Sequence, residues 1–259
     1  MAFNAKLLPV KVLGDTGGGS VEGISEGIRW AVDQGANVIS MSLGGRGRSE
    51  ILAKACKYAA DRNVLVIAAA GNDADDAPHY PSAYDGVLAV SAVGPGGPIG
   101  TAEAGNPKTA KLATYSSYGG AGGDKGIFVA APGGDRRVFG DEGGVIQSTI
   151  VEGDPTKWAM RSFNGTSMAC PHVSGAAALV VSALMERDGG RYKAKEAIKI
   201  IANTATPRDD KYRFGAGILN AGAAVEAVNK TSYTPFAFGG AAVALVIGFL
   251  ILRRRSGEG

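Results

Sequence analysis

The chain has little of the two residue types on which most metal and redox centres depend. It contains two cysteines, Cys56 and Cys170, and two histidines, His79 and His172. No CxxC pair or histidine-rich stretch occurs, so no metal site of the usual spacing is predicted. Cys170 lies in an apolar helical pattern, where cysteine behaves as a small hydrophobe, and both thiols are predicted to be free in the core.

The chain also lacks a basic stripe. Its formal net charge is +3, and three of the positive charges are Arg253, Arg254 and Arg255 at the C-terminus, which leaves the body nearly neutral. A nucleic-acid-binding surface needs clustered lysine and arginine. Nucleic acid is therefore excluded as a predicted partner.

Charge is absent altogether from the 18 residues between Pro235 and Leu252. A helix of that length is near the lower limit for crossing a bilayer of roughly 30 Å, and the arginines that follow would stay on the cytoplasmic side. We predict a transmembrane helix over 235–252 and a basic cytoplasmic tail over 253–259. A cleavable sorting signal and a buried core helix remain as alternatives. A transmembrane helix and a sorting signal both predict that residues before 235 lie at the cell surface or outside the cell, attached to the membrane.

The N-terminus lacks a different pattern. The first residues, "MAFNAKLLPVKVLG", have neither a basic start followed by an apolar core nor a cleavage site. No signal peptide is therefore predicted. An export-type tail without an export-type start suggests that an N-terminal portion is missing.

What the chain does contain is a regular alternation of apolar runs and helical patterns. Continuous apolar runs are typical of strands covered on both faces, and strands separated by helices imply a parallel sheet. The predicted fold class is α/β, a three-layer, mostly parallel sheet with helices on both faces, incomplete at its N-terminus. The predicted strands are Leu7–Leu13, Asn37–Leu43, Val64–Ala70, Gly86–Val93 and Gly126–Gly133.

The domain organisation follows from the same patterns. Two helices separate the first three strands, and three more are predicted from near Thr166, at "YKAKEAIKIIANTA" and at "NAGAAVEAVN". Residues 1–228 are predicted to form one domain, and 229–234 a short linker to the apolar tail.

The stretch "FNGTSMACPHVSGAAALV" (163–180) places Ser167 at the start of an apolar helix. Ligands of open parallel sheets bind at the carboxyl ends of the strands, so the segments after the strands and the start of this helix are the places to inspect. There, "VISMSLGG", "VLVIAAAGND" and "NGTSMACPHV" occur in order, and together they closely resemble the subtilisin-like serine proteases.

The resemblance implies a serine-type endopeptidase that acts on protein or peptide substrates. It implies that Ser167 is the nucleophile, forming an acyl-enzyme, and that the side-chain amide of Asn72 is an oxyanion donor beside the serine's own N–H. It also implies substrate-binding segments after two strands. Their residues are Ser42, Leu43 and Gly44, which would pair with an extended peptide, and Ala69, Ala70 and Gly71, which would line the pocket for the side chain before the scissile bond.

A serine hydroxyl needs a neighbouring base. His172 follows Ser167 by five residues, about 140° around the helix, and is predicted to be structural. His79 lies near the expected cleft at a position where the family has no base. Asp15, in "GDTGGG", only superficially matches the family's catalytic aspartate. The chain is thus predicted to lack the family's Asp and His.

Three hypotheses stay open: a truncated endopeptidase, a catalytically inactive peptide-binding module, and a fragment completed by another chain. No cofactor is predicted with certainty. Relatives commonly bind calcium, so the resemblance allows a structural calcium ion. The cluster Asp73, Asp75 and Asp76 lacks a recognisable calcium-loop pattern, however, and is more typical of a solvated turn.

Overall fold

Four of the five predicted strands form one parallel sheet. The computed structural model describes residues 2–98, 100–119, 127–151 and 154–231. The strands pair in the order β1-β2-β3-β4, all parallel, so their carboxyl ends share one edge. They are β1 (Val38–Met41), β2 (Leu65–Ala69), β3 (Val87–Val93) and β4 (Phe128–Pro132).

Helices cover both faces of this sheet. On one face α1 (Val21–Asp33) and α2 (Glu50–Asp61) pack against alternate residues of β1 and β2. On the other lie α4 (Thr166–Arg187), α5 (Ala194–Thr204) and α7 (Ala221–Thr231). Since successive strand residues point to opposite faces, the continuous apolar runs fill both cores. The predicted three layers are confirmed.

The first two helices begin where their sequences indicate. Ser20 Oγ accepts a hydrogen bond from Gly23 N at 3.0 Å, and Ser49 Oγ accepts one from Leu52 N at 3.4 Å. Such caps satisfy backbone N–H groups that have no acceptor within the first turn. Both helices therefore start at defined points.

The prediction of a buried strand at Leu7–Leu13 is wrong. The segment has no strand pairing, and Leu7 is 91% exposed. Val10 and Val12 lie instead against Gly27 of α1. The apolar pattern indicated burial, but a strand also needs a neighbouring backbone with which to pair, and no described segment provides one here.

An antiparallel ribbon and two short helices complete the fold. The ribbon consists of β5 (Val145–Val151) and β6 (Asp154–Phe163). The helix α3 (Arg136–Phe139) and a 3₁₀ turn (Asp141–Gly143) precede the ribbon, and α6 (Lys211–Phe214) precedes α7.

Two features bear on the membrane prediction. The predicted transmembrane segment 235–252 and tail 253–259 lie outside the described residues. Within the described residues, α4 alone is long and apolar enough to cross a membrane by length and composition. It packs against all four strands of the sheet, as the core helix of a globular domain does.

The helix α7 extends into the predicted linker 229–234, because it continues to Thr231.

Candidate functional site

The candidate site lies where the carboxyl ends of the parallel strands meet the start of α4. Ser42, Leu43 and Gly44 follow β1, and Ala70, Gly71 and Asn72 follow β2. The first turn of α4 holds Thr166 and Ser167. Residues that are far apart in the sequence are thus brought to one edge by the parallel topology.

Ser167 is the second residue of α4 and is partly exposed. At this position its backbone N–H has no acceptor inside the helix and points out of the N-terminal end, where the helix dipole favours negative charge. Ser42 Oγ donates to the Ser167 carbonyl at 2.8 Å. Ser167 Oγ contacts the carbonyl of Ser42 at 3.4 Å. The serine is therefore tied to the segment that follows β1.

Asn72 is held by the residue before the serine. Its Oδ1 accepts from Thr166 N at 2.9 Å and from Thr166 Oγ1 at 3.0 Å. Thr166 is fully buried, so its N–H needs this acceptor, whereas its hydroxyl also lies 3.3 Å from the Gly71 carbonyl oxygen. No hydrogen bond among the described residues uses Asn72 Nδ2, and Asn72 is exposed. The amide therefore keeps its donor end available on the surface beside Ser167.

A buried tyrosine supports the turn before Ser167. Tyr115 donates to the carbonyls of Gly133 and Gly134 at 2.9 and 2.7 Å, and Gly165 N donates to the Gly133 carbonyl at 3.0 Å. Burial raises the pKa of Tyr115, so it remains a donor throughout the ordinary pH range. A Cβ at Gly133 would lie 2.5 Å from Ala92 Cβ and 2.7 Å from the Gly165 carbonyl oxygen. Only glycine allows this approach.

The two predicted substrate-binding segments lie side by side. Ser42 and Gly44 are exposed and Leu43 is half-buried, whereas Ala69 and Ala70 are buried. The loops after β1 and β2 are joined by two hydrogen bonds between Gly45 and Tyr80, of 2.9 and 2.8 Å.

Neither histidine contacts Ser167. His172 Nδ1 lies 2.8 Å from the Met168 carbonyl, one turn earlier in α4. His79 is buried, and its Nε2 lies 2.8 Å from Asp73 Oδ2. Its ring also fills the space that a side chain at Gly71 would need. The side chain of Asp15 is almost fully exposed, beside Lys11.

The carboxylates of the acidic cluster after Asn72 are already engaged by other protein groups. Arg46 Nη2 contacts Asp73 Oδ2 at 3.0 Å and Asp75 Oδ2 at 2.5 Å, and Tyr212 donates to Asp76. The hydrogen bond from Arg46 lowers the pKa of Asp75. Among the described residues no group of three or more His, Cys, Asp or Glu side chains could hold a metal ion. The cluster thus fits an ion-pair network better than a calcium site.

Comparison with known protein families identifies the family that has this arrangement. The model of the Subtilase family matches residues 1–218, most of the chain.

The chain belongs to the subtilase family.

Curated relatives of this subtilase include an alkaline protease from Alkalihalobacillus alcalophilus, 35% identical over 224 residues. That match covers 86% of this chain and 49% of the relative. Subtilisin Savinase from Lederbergia lenta is 34% identical, with 86% of this chain and 69% of the relative covered. The subtilase thus spans about half the length of the alkaline protease that it matches.

Solved structures agree with the family assignment. A protease of Pseudoalteromonas arctica PAMC 21717 superposes with a TM-score of 0.72 at 34% identity. The match covers 88% of this chain and 64% of that protease. Family membership implies the subtilase fold.

Some contacts at the site were not predicted from the sequence. They are the two hydrogen bonds from Thr166 to Asn72, the support from Tyr115, and the pairing of Arg46 with Asp73 and Asp75. Thr166 directly precedes Ser167 in the motif "NGTSMACPHV", and this position was the available signal for its contacts. Arg46 carried none, because isolated charges in glycine-rich loops are usually solvated.

Proposed function

We propose that this subtilase supplies the nucleophile and the oxyanion-binding groups of a serine-type endopeptidase. Ser167 Oγ attacks the carbonyl carbon of a peptide bond while its proton passes to a base. The amine leaves as the protonated product, and water then hydrolyses the ester on Ser167. The oxygen that becomes negative is bound by Ser167 N–H and Asn72 Nδ2.

The orientation of Asn72 carries this proposal. Because Oδ1 is held by both donors of Thr166, the amide nitrogen is the end left for a ligand. A preorganised donor of this kind stabilises the transition state more than the ground state. The helix dipole at the N-terminus of α4 acts in the same direction.

The base is not supplied by the described residues. The chain has two histidines, and both are engaged elsewhere, His172 with Met168 and His79 with Asp73. The hydroxyl of Ser167 has a single long contact, to Ser42. We infer that the family's Asp and His come from polypeptide other than these residues, either a longer form of this protein or a second chain.

The substrate would bind as an extended peptide along Ser42, Leu43 and Gly44, adding a strand beside the exposed segment after β1. The side chain before the scissile bond would enter the space near Ala69, Ala70 and Gly71. These walls are small or apolar, so we expect a neutral or hydrophobic side chain there.

Reaction with a fluorophosphonate probe tests the assignment of Ser167. The full chain is incubated with the probe in buffer containing imidazole, which provides the missing base in solution, and the modified residue is identified by mass spectrometry. We expect modification at Ser167 that Ser167→Ala abolishes. Modification only at other residues would contradict the proposal.

A peptide-binding module without turnover is the second candidate, and the lack of a base beside Ser167 favours it. The two candidates differ in how they respond to added base. An inactive module would bind peptide but leave Ser167 unmodified even with imidazole. Reading the DNA upstream of Met1 is a further test, since an in-frame or frameshifted segment encoding the Asp and His motifs would favour the endopeptidase.

We also propose attachment to the cell surface through residues 235–252, which carry no charge and precede three arginines. In cells producing the full chain, the protein is expected in the membrane fraction after a carbonate wash. Deleting 235–259 is expected to release it. A wild-type protein that is soluble and of full length would contradict attachment, whereas a shortened soluble form would indicate a cleaved sorting signal.

A further inference from the structure

The ribbon of β5 and β6 projects from the body beside the nucleophile. β6 ends at Phe163 and α4 begins at Thr166, so two residues separate the ribbon from the helix of Ser167. At its base, Ser162 Oγ donates to the carbonyl of Asp141 in the 3₁₀ turn. A two-stranded ribbon alone is marginally stable in water. This one is expected to gain stability when another group covers it.

One face of the ribbon is apolar and unusually exposed. Ile150 pairs with Trp158 and Ser148 with Met160, and Ile146 lies diagonally from Met160 on the same face. The exposed fractions are 65% for Ile146, 49% for Ile150, 65% for Trp158 and 67% for Met160. The opposite strand positions of β5 are half-buried. Contiguous apolar patches of this kind mark binding surfaces on soluble proteins.

The position of the ribbon relates this face to the cleft. The chain enters β5 directly after Gly143 and Gly144, which lie against Gly134 at the end of β4. β4 and β1 are at opposite ends of the sheet, about 14 Å apart at the usual strand spacing. The ribbon therefore flanks Ser167 on the side away from the segment after β1, where the substrate residues before the scissile bond are proposed to bind.

We propose that the apolar face formed by Ile146, Ile150, Trp158 and Met160 is an exosite for the part of a polypeptide substrate that follows the scissile bond. Its ligand is an extended segment with apolar side chains at alternate positions, which is the spacing that a strand presents to one face. This inference rests on the proposed endopeptidase function, because it takes the substrate to pass from the segment after β1, over Ser167, to the ribbon.

The charge and the area of this face favour a peptide segment over a membrane surface or a second copy of the chain. Residues 145–163 contain two acidic and two basic side chains, so their formal charges cancel and there is no net charge to attract an anionic membrane. Four apolar side chains also fall short of the roughly 800 Å² per partner that a stable dimer buries. They suffice for a short peptide segment, for which each buried side chain contributes modestly.

Trp158 provides a direct reporter of binding. The chain has two tryptophans, and Trp30→Phe leaves Trp158 alone, while Ser167→Ala prevents turnover. The probe is a ten-residue peptide that alternates leucine with serine between terminal lysines, titrated into the full chain. We expect a saturable blue shift of the Trp158 emission. A peptide with serine in place of leucine is the matched ligand control.

Variants on the two faces of the ribbon test the location. Ile150→Ser or Met160→Ser is expected to weaken binding about tenfold, since each removes most of one buried apolar side chain. Thr149→Ser, on the opposite face, should leave the affinity unchanged. Equal losses for both faces, or no peptide-dependent shift, would overturn the exosite.

Two further titrations distinguish other occupants. A blue shift with phosphatidylcholine and phosphatidylglycerol vesicles but not with peptide would identify a membrane-binding face and overturn the proposal. A shift that depends only on protein concentration would identify self-association and overturn it as well. Failure of Ser167 labelling with intact peptide binding would reject the catalytic proposal alone, and labelling without peptide binding would reject the exosite alone.

Discussion

Replacing Asn72 by aspartate should separate its role in the fold from its proposed role in the reaction. An aspartate keeps an oxygen where Oδ1 accepts from Thr166 N and Oγ1, at 2.9 and 3.0 Å. It has no donor in place of Nδ2, and at neutral pH it adds a negative charge beside the developing oxyanion. Stability should therefore change little while the reaction at Ser167 slows.

The size of the effect can be bounded. Loss of one oxyanion donor costs about 2.7–4 kcal/mol of transition-state stabilisation, or about 10²–10³-fold in rate, a value measured in a subtilisin itself. Asn72→Ala should show the same loss with a second effect, because the buried N–H of Thr166 loses its acceptor, while the Thr166 hydroxyl keeps the Gly71 carbonyl. That costs about 1–3 kcal/mol, or about 2–4 °C in melting temperature for each kcal/mol.

The assay is the rate of fluorophosphonate labelling of the full chain in imidazole buffer, with the melting temperature measured on the same samples. Asn72→Asp should label at least about 10²-fold more slowly and melt close to the wild type. Labelling of Asn72→Asp within about twofold of the wild type would refute the assignment of the donor. A large fall in its melting temperature would refute the contact with Thr166.

Three other predictions concern stability and thiol reactivity. Gly71→Ala should lower the free energy of unfolding by more than about 1 kcal/mol in urea denaturation, because its φ of +108° is unfavourable for alanine and the new Cβ would lie 2.6 Å from the His79 ring. Arg46→Gln should destabilise the protein at neutral pH but less in acid. Arg46 lowers the pKa of Asp75 below its ordinary value of 3.8, so the ionised carboxylate contributes stability above that pH, and this contribution is lost as the pH falls through the lowered pKa. Burial raises the pKa of Cys56 to about 12, so this thiol should react with Ellman's reagent only after unfolding.

The Gly71 prediction has a matched control variant, and the other two predictions have results that would contradict them. Gly35 has a φ of +82° and open space around it, so Gly35→Ala reports the backbone cost alone and should be milder than Gly71→Ala. For Arg46→Gln, a loss of stability relative to the wild type that is as large at low pH as at neutral pH would contradict the ion pair between Arg46 and Asp75. Rapid modification of two thiols per native chain would contradict the buried positions of both cysteines.

The sheet could be predicted because β1 to β4 are short apolar runs between turn residues, a pattern that requires burial on both faces. The same pattern failed at Leu7–Leu13, since hydrophobicity reports burial and not the presence of a neighbouring strand. The strand β6 was missed because "DPTKWAMRSF" has proline as its second residue and mixes charged with apolar residues, which is typical of a surface loop. Its outward apolar face appears only once the register with β5 is known.

The candidate site was predicted more fully than the fold around it, because its motifs are short and distinctive. Ser167 and Asn72 could be named from sequence, whereas the link between them could not. Thr166 and Asn72 are 94 residues apart, and only the parallel topology brings them together. The histidines were predicted to lie outside the reaction, and the structure places them against Met168 and Asp73 rather than against Ser167.

The central claim is that Ser167 lies in a formed oxyanion site and that none of the described residues serves it as a base. The most direct test compares the rate of Ser167 labelling by a fluorophosphonate in the purified full chain with and without imidazole, using Ser167→Ala as the blank. The account predicts slow labelling in buffer and a marked, concentration-dependent acceleration by imidazole. Rapid labelling without imidazole would contradict it, because a base would then have to be present within the chain.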